Sequence, residues 1–263
     1  MRAWPIAVRL ESVGRSFREA LPVLAQAGFQ GIEFDAVGDL APSQLSQTGR
    51  REVIALFRRY GLRPVAIGFP TRHGYDHLDR LEARIAGTEA ALLLAYDLGV
   101  PIVINQLGQI PPDEDKARQK ILSESLTRLS QEGDRVGAKL ALQTGTDSPS
   151  TWADLLASIP NAGLAVNFAP ASLVASGEDL ELAVEKLAPW IVGVHARDVV
   201  RSSLAASGVR EVPLGEGEIN WRRLLRLLSM VEGCQHLTLI SEPGAQAEKS
   251  LIQGKAYLAS LIE

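Results

Sequence analysis

Apolar residues recur along this chain in two alternating patterns: short continuous runs and longer stretches with helical spacing. The runs at 6–10, 32–34, 64–69, 102–105, 139–143, 163–167, 191–195 and 237–240 are rich in Val, Ile, Leu and Ala. Several are continuous apolar runs rather than alternating ones, the pattern of a parallel sheet covered on both sides. Between them, 17–27, 45–60, 78–98, 115–136, 149–159, 180–187, 221–231 and 248–262 carry the three-to-four-residue apolar spacing of helices packed on one face. Gly61 and Gly99 stand where two of these helices stop, as expected of a residue that readily takes the left-handed C-cap conformation.

Eight strand–helix pairs in 263 residues predict a (β/α)8 barrel, α/β in class, with a single domain over 1–263. The rival arrangement is an open doubly wound sheet, but the first strand is not followed by the Gly-x-Gly-x-x-Gly turn that would favour it. No linker-like or low-complexity stretch divides the chain.

Composition narrows the function classes. A formal charge of −4 without a basic cluster argues against a nucleic-acid groove. No apolar run approaches the ~20 residues of a membrane span, and the N-terminal residues do not read as an export signal. The single cysteine, Cys234, excludes an internal disulfide and fits a reducing, cytoplasmic setting as a small turn residue. Exposed apolar helix faces are compatible with an oligomer.

In a barrel, chemistry belongs to the C-terminal strand ends and the loops after them. The polar residues there are Glu33, Arg72, His73, Asn105, Gln106, Gln143, Asn167, the stretch from His195 through Arg197 to Asp198, and Glu242. A polar group closing an apolar run must meet water or a partner. Each alone is explained as a strand cap, but their convergence on one barrel mouth points to a small polar ligand. Arg72 and His73 are placed to reach that mouth from the rim. His77 and His236 read as solvated turn residues. Gly215-Glu216-Gly217-Glu218 resembles a phosphate loop only superficially, because its glutamates would repel an anion, and it reads instead as the cap of a helix beginning near Trp221.

Six segments in order resemble the xylose-isomerase-like TIM barrels of the sugar isomerase, epimerase and endonuclease IV superfamily. They are Gly28-Phe29-Gln30-Gly31-Ile32-Glu33, Asn105-Gln106-Leu107-Gly108, Leu142-Gln143-Thr144-Gly145-Thr146, Val166-Asn167-Phe168-Ala169-Pro170, Val194-His195-Ala196-Arg197-Asp198, and the stretch from Val212 to Trp221. The resemblance implies a sugar-type substrate and a divalent cation held by Glu, Asp, His and Glu at the ends of strands five to eight. That cation binds two substrate oxygens while carboxylates move a proton between adjacent carbons. Carried over to this sequence, the four positions hold Gln143, Ala169, His195 and Ile240. Three carboxylates are thereby exchanged for neutral side chains. A unit-charge pair ~4 Å apart is worth about 4 kcal/mol at an effective dielectric of ~20, and a dication doubles that per carboxylate. A hard, oxygen-seeking cation loses most of its hold.

The sequence therefore predicts a barrel that binds a small polyhydroxylated ligand without the family's metal centre and without a cofactor. The hydrogen-bonding groups would be Glu33, His73, Asn105, Gln143, Asn167, His195, Arg197 and Glu242. Arg197 has an ion pair with the adjacent Asp198 as its alternative role. Two alternatives remain open. An altered site of Gln143, Asn167, His195 and Glu242 would hold Mn²⁺, Mg²⁺, Co²⁺ or Zn²⁺, since Ile240 and Glu242 share a strand face. Otherwise His195 would act as acid or base without metal, beside Asp198 or Glu242. An endonuclease-type centre needs more metal-binding histidines than the four present.

Overall fold

The strands are laid down one after another around an axis, each returning through a helix on the outside. In the computed structural model, which describes residues 4–160, 163–205, 208–244 and 246–262, eight parallel strands close into a barrel. They are β1 (Ile6–Arg9), β2 (Gly31–Asp35), β3 (Arg63–Gly68), β4 (Ile102–Gln106), β5 (Lys139–Gln143), β6 (Leu164–Phe168), β7 (Ile191–Ala196) and β10 (His236–Leu239). β10 lies between β7 and β1 and seals the circle. The predicted fold is the one observed. The stretch read for an export signal begins at residues 1–3, outside the described residues.

The helices are α1 (Phe17–Gln26), α2 (Gln47–Tyr60), α3 (Leu81–Leu98), α4 (Lys116–Val136), α5 (Pro149–Ser158), α6 (Pro170–Ser176), α7 (Leu180–Leu187), α8 (Trp221–Leu228) and α9 (Ala247–Ile262). Gly61 and Gly99 end α2 and α3 at φ of 64° and 69°, the left-handed conformation that a side chain disfavours. Ser46, Asp115, Ser148, Asp179 and Asn220 cap helix N-termini by accepting backbone N–H bonds. Asn220 thus closes the connection from Gly215 to α8.

The core has two compartments, as a closed barrel requires. Leu, Ile, Val and aromatic side chains fill the shell between strands and helices. A separate inner cluster of small and branched residues, Ala7, Ala66, Ile102, Ile104, Ala141 and Ala165 among them, plugs the barrel floor. No helix among the described residues is long and apolar enough to cross a membrane.

Two elements go beyond the simple alternation. After β7 the chain makes an antiparallel hairpin of β8 (Asp198–Arg201) and β9 (Val209–Val212). Asp198 anchors its base. Its buried carboxylate accepts from the backbone N–H groups of Gly215, Gly217 and Ile219 and from the Trp221 indole, at 2.9, 3.2, 3.3 and 3.1 Å. Pairing is also irregular within two strands, between Ile32 and Glu33 on β2 and between Val166 and Asn167 on β6. Such irregularities re-aim the side chains that follow them, and both fall beneath the barrel mouth.

Candidate functional site

Arg9, Glu33 and His195 stand in the C-terminal halves of three strands, β1, β2 and β7, and they are joined. His195 Nε2 lies 3.0 Å from each oxygen of the Glu33 carboxylate. Both side chains are 1% exposed. Burial pushes the Glu33 carboxyl up, but the charge and hydrogen bond of His195, with Arg9 and His236 behind them, hold it below the usual carboxylate range. An ionised carboxylate only accepts, so Nε2 carries the hydrogen and donates it.

Around this pair runs a wider charge network. Arg9 Nη2 binds both oxygens of Asp35, at 2.9 and 2.7 Å. Its Nε lies 3.4 Å from Glu11 and 3.9 Å from Glu33. Glu11 in turn accepts the Asp35 backbone N–H at 2.8 Å. Burial raises Asp35 above its ordinary value, with Arg9 opposing and Glu33 adding. Burial also raises Glu11, with Asp35 adding. One guanidinium thus serves three carboxylates.

Beneath the pair lies a polar layer closed to solvent. Asn167, Gly193 and His236 are register neighbours on β6, β7 and β10. Asn167 is 0% exposed, and neither its Nδ2 nor its Oδ1 has a hydrogen-bond partner among the described residues. Gly193 makes this layer feasible, because a Cβ there would sit 2.5 Å from His236 Nε2 and 3.3 Å from Asn167 Oδ1. Contrary to its reading as a solvated turn residue, His236 is a buried strand residue. Burial lowers its pKa to about 4, against the raising influence of Glu33. The turn signal belongs to Glu232-Gly233, just before the strand starts.

The mouth divides into compartments. A cavity of about 20 Å³, room for roughly one water molecule, is walled by Arg9, Glu33, Asp35, Asn105, Gln143 and His195. A larger one of about 270 Å³ shares Arg9 with it and adds Glu11, Ser12, Arg197, Ser241 and Glu242. Arg197 does not pair with its neighbour Asp198; it pairs with Glu211 at 3.0 Å and Glu242 at 3.1 Å.

The structure treats the predicted site residues unequally. Glu33 and His195 come together. Gln143 lines the small cavity, and its side chain makes no hydrogen bond among the described residues. Asn105 is committed elsewhere: it donates to Tyr75 at 2.6 Å and accepts from Thr71 at 3.1 Å. Asn167 is buried in the layer below. Glu242 stands at the outer rim, its side chain 74% exposed, with Arg197 and not with His195. His73 stacks on His77 at 4.6 Å and lines a separate cavity with Arg72. Sequence reasoning missed Arg9, Glu11 and Asp35. Asp35 was detectable, since it sits two residues beyond Glu33 and shares its face. Nothing in the sequence pattern marked Glu11.

The donor chemistry at the four family metal positions is thin. Ala169 is a buried methyl group whose N–H is held by the Thr144 hydroxyl at 2.8 Å. Ile240 is aliphatic, Gln143 offers an amide oxygen, and His195 Nε2 is already bonded to Glu33. These side chains do not form a set suited to a hard divalent cation. Among the described residues no group of three or more His, Cys, Asp and Glu is arranged to hold a metal ion.

Comparison with known proteins places this geometry. The model of the family described as xylose isomerase-like TIM barrel matches residues 21–260. No curated protein matches the sequence. Among solved structures, a xylose isomerase domain protein from Planctomyces limnophilus superposes with a TM-score of 0.87 at 19% identity, covering 99% of this chain and 98% of that one. A xylose isomerase-like TIM barrel protein from Mycobacterium smegmatis, solved in complex with magnesium, gives 0.79 at 18%, covering 99% and 97%. D-Psicose 3-epimerase from Clostridium cellulolyticum H10, solved with D-tagatose, gives 0.81 at 12%, covering 98% and 99%. At these identities the structural likeness establishes the fold alone.

Proposed function

The chain belongs to the xylose isomerase-like TIM barrel family, and from that premise we propose that its mouth binds a small polyhydroxylated ligand without the family's divalent-metal isomerase centre. One observation carries the reading. The retained imidazole donates Nε2–H to Glu33, while the positions beside it present the methyl of Ala169, the branched aliphatic side chain of Ile240 and the amide of Gln143. A cation entering there would have to break a buried hydrogen bond between His195 and Glu33 and would gain no carboxylate from the family positions.

The ligand class follows from the wall above the pair. Ser12, Ser241, Arg9, Arg197, Glu11 and Glu242 line one cavity of about 270 Å³, offering donors and acceptors in turn, as vicinal hydroxyls require. D-Tagatose in the psicose epimerase structure is a ligand of that chemistry. Calorimetric titration with Mn²⁺, Mg²⁺, Co²⁺ and Zn²⁺ tests the metal half of the proposal. The expected result is no saturable binding; a micromolar Kd that disappears in His195→Ala contradicts it.

A second reading rests on the same pair. An ionised carboxylate against a buried imidazole at the edge of a cavity is an arrangement found in acid–base sites, so proton transfer without metal is open to Glu33 and His195. It predicts deuterium incorporation next to the carbonyl of ketoses incubated with the protein in D₂O. No incorporation across a broad ketose panel removes it.

A further inference from the structure

The loop from β3 to α3 and the first turn of α3 line an open cavity of about 480 Å³ that the reading above does not use. Arg72, His73, Arg80 and Arg84 line it, with Asp79 and the ring of Phe69. Three arginines face a single carboxylate there, in a protein whose formal charge is −4. Their states differ. Arg84 is committed to structure: its Nη1 and Nη2 donate to the carbonyls of Asp79 and His77 and hold the turn closed. Arg72 and Arg80 are exposed, and among the described residues neither has a carboxylate within ion-pair distance. Two cationic side chains are therefore left without an internal counter-charge beside a third that is fixed.

We propose that this cavity binds a phosphoryl group. A guanidinium presents planar paired donors that match tetrahedral oxyanions two at a time, and three of them beside the single carboxylate of Asp79 leave a surplus of positive charge that a phosphate dianion matches better than a monoanionic carboxylate ligand does. The start of α3, which supplies Arg84, adds potential of the same sign. Phe69 and Pro70 line both this cavity and the small one at the Glu33–His195 pair, so an anion bound here sits at the edge of the barrel mouth. The site does not depend on what fills the mouth, because inorganic phosphate probes it without sugar or metal.

The experiment is a titration of the full chain with inorganic phosphate at fixed ionic strength, followed by calorimetry and by amide NMR shifts. Acetate is titrated in parallel. Saturable binding is expected, with the largest shifts in residues 69–84. In the double variant Arg72→Gln/Arg80→Gln it should weaken about tenfold or more, as loss of charged hydrogen bonds implies, while acetate binds more weakly than phosphate throughout. Both side chains are exposed, so an unchanged melting temperature serves as the folding control. The proposal is overturned if phosphate does not saturate, if the double variant binds it equally well, or if acetate binds as tightly. Such a failure leaves the proposed mouth ligand untouched.

Discussion

Two sides of one barrel mouth handle charge in opposite ways. On the side of β1, β2 and β7, Arg9, Glu11, Glu33, Asp35 and His195 are half or fully buried and are paired with one another. On the β3–α3 side, Arg72 and Arg80 project into a solvent-open cavity without partners among the described residues. The first arrangement is part of the fold, because a buried charge must be matched within the protein. The second costs the fold little and leaves its charge for something that arrives from solution. Charged side chains around one mouth thus divide into those that hold the site's shape and those free to recognise a ligand.

The comparison breaks most visibly at its buried side. His195→Ala strands the Glu33 carboxylate in the barrel interior and should cost about 3–5 kcal/mol, the usual penalty for removing one partner of a buried pair. Arg72→Ala should stay within about 0.5 kcal/mol, as exposed substitutions do. Urea unfolding of the two variants measures both; equal costs would erase the distinction.

The next effect concerns pH. His236 has its folded pKa lowered to about 4 by burial, against an ordinary value near 6.5. The unfolded chain therefore takes up this proton first. Stability from the neutral ring is present above about pH 6.5 and is lost as pH falls towards about 4, in total on the order of 3 kcal/mol. Glu33, held low, loses its contribution in the same direction at still lower pH. Asp35 and Glu11, held high, act in the opposite sense above their ordinary values. Comparing His236→Leu with the parent between pH 7 and pH 4 isolates the ring. A parent whose stability falls no faster than that of the variant contradicts this account.

How much of this could be read in the sequence follows from the same contrast. The barrel was legible because continuous apolar runs such as 64–69 and 102–104 and glycine stops such as Gly61 and Gly99 are local signals. The convergence of Glu33 and His195 on one mouth was legible once the barrel was. Their bond was not, because it joins residues 162 positions apart. The partners of Arg197 were hidden for the same reason: Glu211 is brought to it by a hairpin whose strands are four residues each, too short to show a period. His236 was misread because Gly233 signals a turn that ends just where the strand begins.

Gly193→Ala gives a smaller, still interior effect. The added methyl would meet the His236 ring at 2.5–2.6 Å, and overpacking of this kind costs about 1–3 kcal/mol. His236→Ala in the same chain should remove most of that penalty, giving a coupling between the two sites in a double-mutant cycle. Simple additivity would show that the ring is not what Gly193 accommodates.

The smallest effect lies on the rim. Arg80 has φ of 51°, in the left-handed region, so Arg80→Gly should stabilise the fold by up to about 1 kcal/mol while weakening phosphate binding. A gain in both properties would mean that the Arg80 side chain is not part of the anion site.

The central claim is that the retained imidazole is bonded to Glu33 and holds no dication. Diffraction from a crystal soaked in manganese, recorded at a wavelength where that metal scatters anomalously, tests it directly. The account predicts no anomalous peak beside His195, with Nε2 still about 3.0 Å from both Glu33 oxygens. A strong peak within bonding distance of the ring, ligated by protein oxygens and with the Glu33 contact broken, would contradict it.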